Sequence, residues 1–168
     1  MKNIHVDKIV GDRIQLRLLQ QSDLELTMAW RNQEQIRKWF FYQKPISNDQ
    51  HQAWYKKYQQ SDNDFVFIIE EKKNSGKPIG QVSIYNINWQ DKTGEFGRLM
   101  IGNEQYRAQG YAKEATKLIV DFAFSQLQLN MVFLEVFSDN FAAIAIYSSV
   151  GFQITSSNER ITKMVMEK

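Results

Sequence analysis

The sequence predicts a single mixed α/β domain of the α+β kind. Three observations predict it. Short β-rich or alternating runs recur from residue 13 to the end, helical periodicities separate some of them but not others, and no linker or internal repeat divides the 168 residues. A chain of this size buries roughly 70% of its unfolded surface and needs no staple to fold.

The elements follow in order. Ile14, Leu16 and Leu18 alternate with polar residues over 13–19, the period of a half-buried strand. Ser22 followed by Glu25 reads as a capping box and opens a helix over 22–31, and a short helix is expected from Asn32 through Ile36. Pro45 breaks the chain, and Ser47 or Asn48 caps a third helix reaching residue 60. FVFIIEE at 65–71 is a strand, KKNSGK a hairpin-like loop, PIGQVSIYNI at 78–87 a strand, NWQDK a turn, and TGEFGRLMIG at 93–102 a strand. The longest helix is expected over 108–128, with Ala112, Ala115, Leu118, Ile119, Phe122 and Ala123 on one face. MVFLEVF at 131–137 is a strand. Asn140 starts a helix that stops at Gly151, and FQITSS and ITKMVME close as a hairpin. The front half therefore pairs antiparallel, and strands pair parallel where a helix intervenes.

Composition excludes several chemistries. The chain has no cysteine, which removes disulfides, thiolate nucleophiles, zinc–thiolate sites and iron–sulfur clusters. Only His5 and His51 are available, so no metal site is expected. A net charge of +2 does not argue for nucleic acid. No run approaches the roughly 20 apolar residues of a membrane span. The first residues carry no apolar leader, so a cytoplasmic location is expected. Four Trp, seven Tyr and eleven Phe favour a well-packed core or a ligand slot.

The chemistry concentrates at residues 97–112, GRLMIGNEQYRAQGYA. A strand feeds a short loop with Arg107, Gln109 and Gly110, and a helix begins at once. Such a junction aims backbone N–H groups and the positive end of a helix dipole outward. Gly110 permits close approach of an anion, and Arg107 adds a charge. The outline is a diphosphate cradle without a P-loop or dinucleotide fingerprint. A surface arginine beside a turn glycine is the plainer alternative.

Arg107-Ala108-Gln109-Gly110-Tyr111-Ala112 at this junction, and Asn140 through Tyr147-Ser148-Ser149-Val150-Gly151-Phe152 further on, together resemble the GNAT N-acetyltransferase superfamily. The first matches its pyrophosphate loop and the second its N-x-x-[AS]-x-x-x-Y-x-x-x-G-F signature. The resemblance covers residues 13–166 and implies a central sheet of about seven strands, splayed between its fourth and fifth, with four to five helices around it. It implies acetyl-CoA as co-substrate, with pantetheine running beside Leu99, Met100 and Ile101 between strands 95–101 and 131–137. The amides of Gln109, Gly110, Tyr111 and Ala112 would hold the pyrophosphate, and Asn140 would touch the pantetheine. Ala108 and Gln109 stand where relatives often have Gly and a basic residue, which weakens the anion contacts slightly.

The resemblance also assigns roles. Tyr147 is the expected general acid for the leaving thiolate, since a phenol is protonated at neutral pH. Glu95 is the candidate base acting through water, although a strand glutamate is often simply exposed. A backbone N–H near Met100 would stabilise the oxyanion. Direct attack in a ternary complex is expected, without a covalent enzyme intermediate.

The acceptor is expected to be a small amine. Residues 30–60 carry Arg31, Arg37, Lys38, Lys44, Lys56 and Lys57 against Glu34 and Asp49, a field that suits an anionic acceptor and disfavours a polyamine. A solvated basic face is the alternative. Trp30-Arg31-Asn32, Ile36 to Trp39, and Ile46 with His51 and Trp54 resemble the branch acting on nucleotide-linked amino sugars in pseudaminic acid synthesis. That resemblance makes Arg31, Asn32, His51 and Trp54 candidate acceptor contacts. The competing readings are acetylation of a protein N-terminus, as in ribosomal-protein acetylases, and a non-catalytic acyl-CoA sensor. The assembly is expected to be a monomer or homodimer.

Overall fold

The computed structural model describes residues 4–168, so the first three residues of the expected 1–168 domain lie outside the described residues. Eight strands form one sheet in the order β1-β2-β3-β4-β5-β6-β8-β7. They are β1 (Ile9–Val10), β2 (Ile14–Leu18), β3 (Phe65–Glu71), β4 (Lys77–Asn88), β5 (Thr93–Ile101), β6 (Met131–Phe137), β7 (Gln153–Ser157) and β8 (Ile161–Glu167). The helices are α1 (Leu24–Asn32), α2 (Glu34–Arg37), α3 (Asn48–Gln60), α4 (Tyr111–Ser125) and α5 (Phe141–Val150). The eighth strand is β1, two residues too short to carry a period, held antiparallel to β2.

Strand β3 shows how the sheet organises the molecule. All seven of its residues are buried. Phe65, Phe67 and Ile69 join the core under α4 and α5, while Val66 and Ile68 join a second core under α1 and α3. A strand alternates its side chains, so a run apolar at every position must be covered on both faces.

Two expected boundaries shift. The capping box near α1 is made by Gln20 and Asp23 around a 3-10 turn over Gln21–Asp23, not by Ser22 and Glu25. Asp23 is drawn there by Arg17, whose two Nη atoms grip its carboxylate at 2.7 and 2.9 Å while Nε holds Glu70 at 2.7 Å. The long helix starts at Tyr111 and ends at Ser125, inside the expected 108–128, because Ala108 (φ 56°) and Gly110 (φ 86°) leave the helical region. The capping of α3 by Ser47, with Gln50 closing the box, is as expected.

The sheet opens at one place. β5 and β6 pair in parallel only from Thr93 to Glu95, opposite Met131 to Phe133. Beyond Glu95 the two strands part, and β6 continues on β8 instead. A bulge adds to this opening. Arg98 has φ 51° and the register against β4 shifts opposite it. Phe96 packs in the α4–α5 core, whereas Met100, four residues on, packs in the α1–α3 core. A regular strand would put both on one face; the bulge reverses the alternation between them.

Candidate active site

A cavity of about 440 Å³ occupies the gap between β5 and β6. Leu99, Met100, Ile101, Arg107, Ala112, Asn140 and Tyr147 line it, so most of the residues expected beside the coenzyme are brought together. Of the loop that leads into α4 and the start of that helix, Arg107 and Ala112 line the cavity and Ala108, Gln109, Gly110 and Tyr111 do not. Glu114 is the first residue whose amide finds a helical acceptor, Gly110 O at 3.1 Å. The amides of Gln109, Gly110, Tyr111 and Ala112 find none among the described residues, which leaves a row of N–H groups at a helix N-terminus. A Cβ on Gly110 would sit 3.0 Å from Arg13 Nη2 at a left-handed φ, so the close approach depends on glycine.

Other residues of the loop do structural work. Arg107 is turned inward: Nε donates to Ile101 O at 2.9 Å, and Nη2 donates to Gln33 Oε1 at 2.8 Å and Gly102 O at 3.3 Å. These bonds make Arg107, expected as an anion contact, a clasp that closes the β5–α4 loop onto the end of α1 while it still lines the cavity. The cation beside the loop is Arg13, which the sequence reading missed. Its Nη1 donates to Gln109 O at 2.9 Å and its guanidinium covers the Tyr111 ring at 4.3 Å. Tyr111 is buried, with its hydroxyl donating to Glu71 at 2.7 Å. That bond holds the Glu71 carboxyl below its usual pKa. Asn140 caps α5, its Oδ1 accepting from Ala143 N at 3.3 Å.

Tyr147 stands on α5 with its ring edge-on to Phe96 at 5.4 Å. Burial pushes the pKa of its phenol well above the ordinary tyrosine value, and the nearby Tyr85 adds to the shift. The group stays protonated at neutral pH, as a donor to a thiolate must be. Glu95 is not brought to the gap. It sits in the last paired position of β5, one residue before the strands part, and its Oε2 accepts from Asn86 Nδ2 at 2.7 Å. Strand alternation puts it on the opposite face from Phe96. Tyr85 lines the cavity where Glu95 does not, facing Glu95 across the ladder, and burial raises its pKa to about 12.

A second cavity of about 300 Å³ lies on the α1–α3 side, and Phe40, Arg98 and Met100 line both. Thr27, Arg31, His51, Trp54 and Gln81 form its other walls. Three of the four expected acceptor contacts are therefore gathered here, by elements far apart in the chain. His51 stacks on Trp54 with centroids 5.4 Å apart, and Trp54 stacks in turn on Tyr58. Arg31 lies over the Phe40 ring at 3.8 Å; its Nη2 donates to Tyr42 O and its buried Nη1 has no partner among the described residues. Arg98 pairs with Asp64 at 2.8 Å and covers Tyr85 at 4.0 Å.

Asn32 departs from its expected role. Its Nδ2 donates to Ile46 O at 2.9 Å and its Oδ1 accepts from Ile46 N at 2.8 Å, so both ends of the amide fasten the α2–α3 loop. That loop carries Trp39, Phe41 and Tyr42, all substantially exposed. Phe41 reaches β6 and meets Phe137 edge-on at 5.0 Å, so the loop passes over the gap.

With this geometry in hand, the family profile described as acetyltransferase (GNAT) domain matches residues 13–153. The chain belongs to the GNAT acetyltransferase family. It is an N-acetyltransferase whose co-substrate is acetyl-CoA, and the unpartnered amides at Gly110 and the parted strands suit that molecule. Spermidine N(1)-acetyltransferase of Vibrio cholerae is 25% identical over 143 residues, covering 85% of this chain and 80% of the relative. Acetyltransferase PseH of Campylobacter jejuni is 28% identical over 136 residues, covering 81% and 80%. Among solved structures, the Vibrio cholerae spermidine N-acetyltransferase in complex with CoA and spermine superposes with a TM-score of 0.84 at 22% identity, covering 92% of this chain and 95% of that one. Among the described residues no group of metal-binding side chains occurs, and no helix is long and apolar enough to cross a membrane.

Proposed function

We propose that this acetyltransferase acts on the primary amine of an anionic small molecule, of which a nucleotide-linked amino sugar is the best fit. The observation that carries the reading is the charge of the second cavity: Arg31 and Arg98 line it and no aspartate or glutamate does. Arg98 is compensated by Asp64, whereas Arg31 keeps a buried, unpartnered N–H. A buried guanidinium N–H without an acceptor is costly, and a phosphate or carboxylate oxygen relieves that cost. Trp54 and Phe40 supply flat apolar surface for a base or a sugar face.

The residues then divide the work. The amides of 109–112 hold the diphosphate of the coenzyme. The parted β5 and β6 let the thioester carbonyl come from the Tyr147 side toward Met100, where a backbone N–H would stabilise the oxyanion. Tyr147 protonates the departing sulfur. Arg31, His51 and Trp54 orient the acceptor from the other face, so that the amine and the carbonyl meet where the cavities share Met100 and Arg98.

Acetylation of a polyamine is the second reading, favoured by the spermidine acetyltransferases among the relatives. Its difficulty is physical, because a polycation entering this cavity meets two guanidinium groups and no lining carboxylate. Thiol release from acetyl-CoA with a UDP-linked amino sugar, spermidine and an alanine-starting peptide separates the readings. Turnover with the sugar nucleotide alone supports the proposal; turnover with spermidine alone overturns it.

A further inference from the structure

We propose that His51 is the general base that takes a proton from the acceptor amine, acting through Nδ1. The inference rests on the second cavity being the acceptor cavity and adds to it the group that makes the amine nucleophilic. An amine is an ammonium ion at neutral pH and cannot attack a thioester until it loses a proton. Glu95 lines neither cavity and its carboxylate is engaged by Asn86. The second cavity is lined by two guanidinium groups, several neutral side chains and one imidazole. Only the imidazole can accept a proton in the physiological range.

The hydrogen bonds around the ring assign its tautomer. Thr27 Oγ1 donates its one proton to Leu24 O at 3.2 Å. The same oxygen lies 3.0 Å from His51 Nε2, and with its proton committed to Leu24 O it accepts there; on that arrangement we assign the hydrogen to Nε2. Thr27 and the Leu24 carbonyl are the ring's hydrogen-bond partners among the described residues, and a hydrogen on Nε2 leaves Nδ1 with its lone pair. Stacking on Trp54 fixes the plane of the ring. The charged groups facing the cavity beside His51 are Arg31 from α1 and Arg98 from β5, the latter paired with Asp64; β4 contributes the neutral Gln81. Burial lowers the pKa of His51, with the Leu24 carbonyl opposing, so the ring is ready as a neutral base at pH 7.

The protons balance. Nδ1 takes one proton from the ammonium ion, and the freed lone pair forms the C–N bond. As the C–S bond breaks, Tyr147 gives its proton to sulfur and recovers one from the amide nitrogen. His51 releases its proton to solvent. The products are the acetamide, the free thiol and that proton.

Two measurements test the assignment. In histidine ¹⁵N–¹³C correlation spectra His5 gives the only other imidazole signal, and His51 should show the Nε2–H tautomer, neutral at pH 7. An Nδ1–H tautomer overturns the proposal whatever the acceptor is. In turnover assays with whichever of the three amines the wild-type protein acetylates, His51→Ala should lose about 100-fold in kcat/KM. Its acid limb should vanish, added imidazole should restore the rate in proportion to the free base, and coenzyme A affinity should be unchanged by calorimetry. His51→Gln, which keeps a donor for Thr27, guards against misfolding and should show the same loss. Turnover retained in both variants, or absence of rescue with the acid limb intact, overturns the proposal. Glu95→Gln should keep its turnover, and its inactivation beside an active His51→Ala gives the role back to Glu95. The identity of the amine that reacts judges the acceptor class separately.

Discussion

Replacing Tyr147 by Phe separates chemistry from folding at one atom. The ring packs against Phe96 at 5.4 Å and Phe152 at 6.1 Å, contacts that phenylalanine keeps. The hydroxyl has no hydrogen-bond partner among the described residues, in a position where the residue as a whole is 8% exposed. The residue lines the cavity and its hydroxyl is not one of the buried, unpartnered atoms, so its removal leaves stability nearly unchanged. For a chain of this length each kcal/mol moves the melting temperature by about 2–4 °C. The same substitution removes the proposed proton donor for the thiolate, and such a donor is worth about 10²–10⁴-fold in turnover, or about 3–5 kcal/mol of barrier. Thermal melting, calorimetric titration with coenzyme A and thiol release together read the three quantities. The expected result is an unchanged melt, unchanged coenzyme affinity and a collapse of turnover. A variant that melts well below wild type would show the hydroxyl to be structural, and one that keeps full turnover would refute its role as the acid.

Other sites give equally direct outcomes. Gly110→Ala forces a side chain into a left-handed backbone at a cost of about 1–2 kcal/mol and presses on Arg13, so calorimetry should find coenzyme A bound roughly tenfold more weakly. Arg107→Met removes three charged hydrogen bonds from the loop clasp and should lower stability by about 2–4 kcal/mol in a urea melt; a loss of coenzyme affinity at full stability would instead mean that the arginine grips the ligand. Asn32→Leu strands the backbone N–H and C=O of Ile46, and proteolysis should then cut the α2–α3 loop faster than in wild type. His51 has a folded-state pKa below its unfolded value of 6.5, so the folded protein binds fewer protons than the unfolded chain as pH drops. That contribution to stability is present above pH 6.5 and is lost as pH falls through the folded value, and His51→Gln should flatten the melting-temperature profile in this window.

The order of elements was legible wherever a pattern is local. FVFIIEE announces a strand covered on both faces, the small and apolar stripe from Ala112 to Ala123 announces α4, and Ser47 with Gln50 announces the start of α3. The two-residue β1 carries no period and escaped. The capping assignment at Ser22 failed because Arg17, held by Glu70, recruits Asp23, a partner set spread over three elements. Within the site, Gly110 and Tyr147 were legible because a glycine at a strand–helix junction and a tyrosine in a spaced signature are short-range signals. Arg13, Tyr85 and Arg98 carry no such signal.

The sequence by itself determined that a loop of free amides would open a helix after a strand, since local backbone preferences and the missing side chain of Gly110 suffice for that. Only the tertiary structure decided what surrounds it. The bulge at Arg98 turns Met100 to the α1–α3 side, the clasp commits Arg107 to Ile101, Gly102 and Gln33, and Arg13 arrives from 96 residues away to stand beside the cradle. The physical reason is common to all three: a guanidinium bonds whichever carbonyls and carboxylates the packed elements bring within about 3 Å, and that set does not exist until the sheet has formed.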